Sequence, residues 1–403
     1  MSLAAKLPYD HAYAGGYPGI GSQPLPTDAD ALDYLARVKA ADGAGVEVGV
    51  ATAVSAFVAD SKALGVWDSI RASCVLAGAR TLAGALVPLR DYGPELVDIN
   101  SLESPSINNL GGSAGYWDAA SRTAYSTATG AAGYPYFVFP VSVVVGKTYR
   151  FSGVLSGDFA DINLFRFGNL NVTIAEDGSF DASLVANFAD FKIYFESSLG
   201  PQAVTIDSLS IREVIAAPTN VADGFVEGDY TRGGATPGLK GDGTSYLDSG
   251  RANDADPQND NHVAAYVTAG YVAINNGALI GAQNAASAYT MTGTVSYNRG
   301  SIGNSAIQIT SAGLYASSRK TQASFLYIRP PDNAQSLVSN SVVASGFSNN
   351  LFVYGYSNSS GSLVSPTDAT VAFYSAGTGM DSDGLAALDT AVSNLITAIG
   401  EAL

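Results

Sequence analysis

The sequence predicts a mainly β protein with two antiparallel β-sandwich domains, an N-terminal helical segment and a C-terminal helix. Only 14% of the 403 residues are charged, against about 25% in an average soluble protein. Glycine occupies 44 positions and tyrosine 22, which is typical of strands joined by many tight turns. Short hydrophobic runs punctuated by Gly, Asp and Asn recur along most of the chain after residue 135. These observations together predict the fold class.

The charge and cysteine content argue against several classes of function. The chain carries 20 Lys and Arg against 36 Asp and Glu, a net charge of −16 that repels phosphate backbones and anionic lipids. We therefore expect neither nucleic acid nor membrane as a partner. Cys74 is the only cysteine, so an intrachain disulfide and a cysteine-based zinc site are excluded. No secretory signal pattern and no apolar run of about 18 residues is present, so we expect synthesis in the cytoplasm.

Composition changes along the chain divide it into five segments. The segments are an extended arm (1–26), a helical adaptor (27–90), an inserted jelly roll (91–217), a larger sandwich (218–380) and a helix packed on the body (381–403). In the arm, Tyr9, Tyr13 and Tyr17 lie among glycines and prolines that prevent a helix or a central strand. The arm is either a frayed terminus or a segment whose tyrosines dock on a partner chain.

The adaptor has the periodicity of helices. Apolar residues recur at spacings of three and four, which predicts helices at about 28–42, 46–64 and 67–86. Cys74 falls on the apolar stripe of the third helix, so we expect a buried, inert thiol. The segment 381–403 has a similar stripe and can cover its own domain or form a short intersubunit coil. Two heptads are marginal for an isolated coiled coil, which favours packing of this helix on its own domain.

The two β segments follow the alternation of half-buried strands. In the jelly roll, strand runs are expected at about 138–145, 148–154, 164–167, 171–174, 192–196 and 205–211. In the larger sandwich they are expected at about 245–247, 262–267, 289–291, 306–309, 323–328, 351–356 and 370–374. A linker is expected near 216–219.

Several stretches resemble a known group of proteins. Residues 230–250, with the sequence YTRGGATPGLKGDGTSYLDSG, resemble the first strands of concanavalin-A-like (laminin-G-like) sandwiches in tailed-phage virion proteins. Residues 65–80, 251–262 and 373–392 are similar to the same group, so the resemblance covers about 27–90 and 218–403. The jelly roll resembles carbohydrate-binding modules through 145–151, VGKTYRF.

The resemblance implies a fibre, spike or decoration protein on the surface of a phage or of a gene-transfer-agent-like particle. Other virion proteins would be partners of the arm and helices, and a host-surface glycan would be the ligand. By analogy with fibres, a homo-oligomer is implied, with a trimer favoured. The quoted motifs carry no catalytic signature.

Motifs for catalysis are weak, so we expect no enzyme. The two histidines, His11 and His262, are too few for histidine-based metal sites or triads. Residues 111–115, GGSAG, match G-x-S-x-G, but a nucleophile elbow needs a preceding strand and a following helix. Residues 227–232 resemble the E-x-D-x-x-E of sandwich glucanases, with Arg232 in place of the third carboxylate. A depolymerase remains a second alternative, because other carboxylates could pair in space.

One loop could hold a hard cation. Asn and Asp residues cluster within 253–260, and calcium prefers six to eight such oxygen ligands. The spacing does not match an EF-hand, and a solvated turn is the favoured interpretation. No cofactor is expected otherwise. The candidate calcium ligands are Asp254, Asp256 and Asp260.

Sugar binding has better candidates, at the start of the jelly roll. A pyranose ring packs its apolar face on an aromatic ring, and Asn, Asp or Gln side chains bond its hydroxyls. The candidates are Tyr116, Trp117, Asp118, Arg122, Tyr125, Tyr134 and Tyr136. Trp117 could instead close the end of its own sandwich. The sequence therefore predicts non-enzymatic attachment to host polysaccharide, with a purely structural capsid or tail protein as the alternative.

Overall fold

The computed structural model of the chain is mainly β, with helices at both ends. The structure describes residues 28–99, 102, 104–109, 114–127, 135–141, 143–187, 190–195, 201–221, 224–270, 277–283, 288–292, 296–298, 301–302, 311–328, 330, 336–339 and 348–403. The predicted arm, 1–26, lies outside these residues.

Helices and strands are numbered in chain order. The helices are α1 (Ala29–Asp42), α2 (Val48–Ala63), α3 (Leu82–Ala85) and α4 (Ser382–Ala402). The first strands are β1 (Ile70–Val75), β2 (Ser106–Asn109), β3 (Ala114–Asp118), β4 (Thr123–Thr127), β5 (Pro135–Pro140), β6 (Thr148–Gly157), β7 (Ile162–Phe167), β8 (Leu170–Asn171), β9 (Ser179–Val185), β10 (Asp190–Phe195) and β11 (Gln202–Glu213). The remaining strands are β12 (Thr219–Val221), β13 (Tyr230–Thr231), β14 (Gly238–Lys240), β15 (Tyr246–Ala252), β16 (Asn261–Ala269), β17 (Ala278–Gln283), β18 (Ala288–Thr292), β19 (Ser296–Asn298), β20 (Ser301–Ile302), β21 (Gly313–Thr321), β22 (Ser324–Ile328), β23 (Ser336–Ser339), β24 (Asn350–Val353), β25 (Tyr356–Ser357), β26 (Leu363–Val364) and β27 (Thr370–Gly377).

Strands β2–β11 form an inserted sandwich of two antiparallel sheets. Sheet I has the order β2-β5-β10-β7-β8, and sheet II has the order β3-β4-β11-β6-β9. The alternation of β10 explains its orientation, because Phe191, Ile193 and Phe195 are buried while Lys192 and Tyr194 lie on the outer face. An aromatic core fills the space between the two sheets. The outer faces of sheets I and II therefore point in opposite directions.

The larger sandwich combines β1 with the strands after the insertion. Its sheet III has the order β13-β14-β27-β16-β21-β22-β23, with β1 also paired to β27. Its sheet IV has the order β12-β15-β24-β17-β18-β19-β20, with β25 and β26 at its side. A hydrophobic cluster that includes Val263, Leu279 and Val353 fills the interior.

Helices α1, α2 and α4 cover the outer face of sheet III. Asp28 caps α1 by accepting hydrogen bonds from two backbone N–H groups, and Asp381 caps α4 in the same way through Gly384 N. The rings of Phe57 on α2 and Phe373 on β27 meet edge to face at 5.8 Å. The apolar stripe of α4 is buried in this layer, so the C-terminal helix packs on its own chain. Among the described helices, none has the length and hydropathy needed to cross a membrane.

The prediction of a third helix at 67–86 is wrong. Trp67–Ser69 is a short 3-10 turn, Ile70–Val75 is strand β1, and only Leu82–Ala85 is helical. Strand β1, with the sequence IRASCV, is buried on both faces, between the helices and the sandwich interior. It therefore lacks the alternation of a half-buried strand, and pairing with β27 decides its conformation. Residues 27–90 therefore contribute a strand to the larger sandwich as well as helices.

Cys74 is buried in the larger sandwich. Its thiol donates to Leu86 O at 3.7 Å and accepts from the Tyr374 hydroxyl at 3.6 Å. Burial raises the pKa of the Cys74 thiol to about 12. We expect the native protein not to react with an aromatic disulfide reagent at pH 8, and one thiol to react after unfolding in guanidinium. Stoichiometric reaction of the native protein would contradict this burial.

Charged side chains join the inserted sandwich to the larger one. Lys147 Nζ lies 2.9 Å from Glu213 Oε1 and donates to Ala255 O at 3.2 Å. Arg251 pairs with Asp256 at 2.5 Å, and its other guanidinium nitrogen lies 3.6 Å from Glu213 Oε1. The Arg251–Asp256 pair is buried, with side chains 7% and 6% exposed. The junction is thus an ion-pair network spanning both domains.

Candidate carbohydrate-binding site

The hairpin of β3 and β4 places two predicted tyrosines side by side on the outer face of sheet II. Tyr116 and Tyr125 are register partners, and their neighbours Trp117 and Ala124 point into the core. Tyr116 is 62% exposed and Tyr125 is 37% exposed. Their ring centroids lie 5.9 Å apart, with ring planes tilted by 31°. The pair forms one continuous aromatic surface open to solvent.

Polar groups adjoin this aromatic surface. Asp118 follows Tyr116 by two residues and so lies on the same side of β3. Its carboxylate accepts hydrogen bonds from the Ser121 hydroxyl at 2.8 Å and Ala120 N at 3.0 Å, which lower the pKa of Asp118. Arg122 adopts a left-handed backbone with φ of 55°, and its carbonyl oxygen accepts from Ile206 N at 3.0 Å. The hairpin end is therefore fixed to the neighbouring strand β11.

A groove lies across the same outer face, on β6, β9 and β11. Its volume is about 610 Å³. Hydroxyl groups of Ser152, Ser179 and Ser208 line it together with the carboxylate of Asp181. Arg150 holds that carboxylate through two contacts of 2.9 and 2.6 Å. Sheet II thus presents an aromatic surface at the β3 side and a hydroxyl-lined groove at the β9 side.

The structure buries the one tryptophan among the candidates. Trp117 is 7% exposed, and its ring meets Phe139 edge to face at 4.9 Å. The side chain therefore packs in the sandwich core, as in the alternative interpretation, and offers no surface for a sugar. The alternation of the strand explains this, because Tyr116 and Trp117 are adjacent and must face opposite sides.

Tyr136 lies on sheet I, away from the tyrosine pair. Its ring stacks on Tyr194 with centroids 4.9 Å apart and planes 12° apart. The guanidinium of Arg166 lies 5.1 Å from the Tyr194 centroid. Tyr194 and Arg166 are not among the predicted site residues, although Tyr194 alternates with buried Ile193 and Phe195. The candidate Tyr134 lies outside the described residues.

The candidate calcium ligands are not brought together. Asp256 forms the buried pair with Arg251, Asp260 accepts from Gly379 N at 2.9 Å, and Asp254 is exposed. Within the described ranges, no group of three or more His, Cys, Asp or Glu side chains is placed to hold a metal ion. The role of Asp256 is that of an ion-pair partner.

The catalytic candidates have structural partners. Glu227 accepts from Leu82 N at 2.9 Å, and Asp229 accepts from Val226 N at 2.9 Å. Arg232 pairs with Glu47. The match at 111–115 falls mostly outside the described residues.

His262 is fully buried, where both ring nitrogens are hydrogen-bonded. Nδ1 lies 2.7 Å from Thr378 O and Nε2 lies 3.0 Å from the Ser375 hydroxyl. Burial lowers the pKa of His262 from 6.5 to about 4. His262, at the start of β16, therefore has a structural role in these two hydrogen bonds.

The His262 pKa shift predicts acid sensitivity. The unfolded chain binds the proton more tightly than the folded one, so stability is complete above pH 6.5 and falls as pH decreases toward 4. Between pH 7 and pH 5 we expect a loss of about 2 kcal/mol. Urea unfolding at both pH values, with His262→Gln as the non-titrating control, measures it. An equal loss in the variant would contradict this assignment.

Comparisons with known proteins identify no family for this chain. The sequence matches no protein-family model and no curated protein. One solved structure to which the chain has some likeness is the CBM22-1–CBM22-2 tandem domain of Xyn10C from Paenibacillus barcinonensis. The match has 14% sequence identity and a TM-score of 0.22, and covers 72% of this chain and 99% of that one. No property of that protein is transferred to this chain.

Proposed function

We propose that the protein binds carbohydrate without catalysis, and that it attaches a virion to host-surface polysaccharide through the outer face of sheet II. The observation that carries the proposal is the Tyr116–Tyr125 pair, which exposes two aromatic rings on adjacent strands. Exposed aromatic groups that adjoin on one face mark interaction sites, and aromatic groups with a polar tip suit sugars.

The surroundings of the Tyr116–Tyr125 pair suit an oligosaccharide. Asp118 accepts hydrogen bonds, and the serine-lined groove on β6, β9 and β11 supplies donors and acceptors on the same face. Each sugar contact is weak, so several copies on one particle raise the overall affinity through multivalency. We therefore propose a homo-oligomer, with a trimer favoured by analogy with fibres.

The proposed location is the virion surface. The sequence resemblance of 27–90 and 218–403 to phage virion proteins supports it, and the net charge of −16 is compatible with an exposed position. The arm and the helical layer would contact other virion proteins. We propose no enzymatic activity, because Glu227 and Asp229 serve as acceptors for backbone N–H groups.

A structural role on the particle is the second candidate. Val144, Val145 and Val185 are 55%, 61% and 52% exposed at one end of the inserted sandwich. Exposed apolar patches mark protein contacts in assemblies. In this role the sandwich would pack on a neighbouring subunit instead of a glycan.

Binding to cells separates the two candidates. Fluorescently labelled protein is mixed with a panel of bacterial strains, each paired with a mutant lacking capsular polysaccharide. We expect labelling of at least one parent strain and its loss on the stripped mutant. Equal labelling of both, or none on any strain with the protein folded by circular dichroism, would overturn the attachment function and favour the structural one.

A further inference from the structure

The outer face of sheet I carries a second aromatic surface. Tyr136 on β5 and Tyr194 on β10 are register partners with stacked rings, and Arg166 on β7 covers Tyr194. The other face of the Tyr136 ring is on the β2 side, where its register partner is the exposed Asn108. The half-buried Tyr136 ring beside an amide is a pairing that suits a sugar ring.

The strands of sheet I carry more positive than negative charge. Along β2, β5, β10, β7 and β8 the charged residues are Arg166, Lys192 and Asp190, so the sheet has one excess cation in a chain of net charge −16. Arg166 and Lys192 are register partners. Lys192 lies 3.2 Å from Asp190, and Arg166 Nε donates to Asn171 Oδ1 at 3.1 Å. In sheet II, acidic residues outnumber basic ones.

We propose that the outer face of sheet I is a second saccharide site, separate from the Tyr116–Tyr125 surface, and that its ligand is a short acidic oligosaccharide built from uronic acids. One sugar ring packs on Tyr136 with its hydroxyls near Asn108. The carboxylate of a following unit reaches Arg166 and Lys192. Tyr136 and Arg166 are two strands apart, about 10 Å, so the ligand spans at least two sugar units.

The two proposed sites differ in the charge of the ligand that they require. The sheet I site needs an anionic ligand, whereas the tyrosine pair on sheet II has Asp118 beside it and no excess of cations. A protein with both faces can bind two polysaccharide segments at once. Failure of either site leaves the other intact, because the sandwich core separates them.

The test uses tetragalacturonate and its fully methyl-esterified form, which is neutral but has the same sugar backbone. We expect the full-length protein to bind tetragalacturonate, with an affinity that falls as salt is added, and to bind the ester at least tenfold more weakly. Arg166→Gln should weaken binding of tetragalacturonate about tenfold and weaken binding of the ester much less. Tyr136→Ala should weaken binding of both forms.

Three control variants test whether the ligand binds sheet I through the charge of Arg166. Arg166→Lys retains the charge and should restore most of the salt-dependent binding. Asn171→Ala removes the hydrogen-bond partner of Arg166 but keeps its charge, so a loss as large as that of Arg166→Gln would indicate a structural role and overturn the proposal. Loss of binding in Tyr116→Ala/Tyr125→Ala would place the ligand on sheet II and overturn it too. Equal affinity for acid and ester, or no binding of tetragalacturonate, would also overturn it.

Discussion

Replacing Arg251 with alanine should lower the free energy of unfolding by about 3–5 kcal/mol. The guanidinium holds Asp256 with contacts of 2.5 and 2.8 Å in a site where both side chains are almost completely buried. Without Arg251, the carboxylate of Asp256 is left buried without its cation. Arg251 also lies 3.6 Å from Glu213, so the variant weakens the junction between the two sandwiches as well.

Chemical denaturation followed by circular dichroism measures this loss. The matched control is Arg150→Ala, which breaks the Arg150–Asp181 pair, whose side chains are 40% and 56% exposed. We expect the control to change stability by less than about 1 kcal/mol, because water screens an exposed pair. Removing both partners, in Arg251→Met/Asp256→Leu, should cost less than Arg251→Ala, since no buried charge is orphaned. Equal effects of Arg251→Ala and Arg150→Ala would contradict the structural role of the buried pair.

The same ion pair adds to the acid sensitivity of the fold. Burial alone would raise the pKa of Asp256, but the charge and hydrogen bonds of Arg251 lower it below its usual value. A lowered pKa in the folded state means that the stabilisation is present above about pH 4, the range of an unfolded aspartate. It is lost as pH falls through the lower pKa of the folded state. The His262 effect begins at higher pH, so the two contributions can be separated.

Replacing Tyr116 and Tyr125 with alanine should abolish glycan binding without unfolding the protein. Truncating one central aromatic contact in a binding site costs about 2 kcal/mol or more. The double variant should therefore weaken binding by at least a hundredfold. Both rings project from the outer face, so we expect the melting temperature to change by only a few degrees.

Binding isotherms on capsulated cells, recorded by flow cytometry, measure this loss. The matched control is Val226→Ser on the larger sandwich, because Val226 is 61% exposed, as Tyr116 is, but lies away from the inserted sandwich. We expect the control to bind like the unmodified protein. Unchanged binding in the tyrosine variant would place the attachment surface elsewhere.

Short-range patterns in the sequence predicted the fold class and part of the site. Alternation along β3 and β4 is enough to put Tyr116 and Tyr125 on one face and Trp117 on the other. Alternation cannot tell which sheet a strand joins, so Tyr136 was grouped with residues that lie on the opposite face. The partner of Tyr136 is Tyr194, which is 58 residues further along the chain, and only the sheet order brings them together.

Two further predictions differ from the structure because the sequence does not show which side chains meet. Strand β1 has apolar spacing compatible with a helix, but it pairs with β27, about 300 residues away, and both of its faces are buried. The acidic loop at 253–260 suggested cation ligands, because the sequence does not show that Arg251 folds back onto Asp256. Composition identifies the residue types in such a loop, whereas tertiary packing decides which charges meet.

The most direct measurement is a calorimetric titration of the full-length protein with oligosaccharides released from the capsule of a strain that the labelled protein stains. We predict saturable heat from the unmodified protein, and none at the same concentrations from Tyr116→Ala/Tyr125→Ala with its circular dichroism spectrum unchanged. Saturable binding of equal affinity in both proteins, or no heat from the folded unmodified protein, would contradict carbohydrate recognition by the tyrosine pair of sheet II.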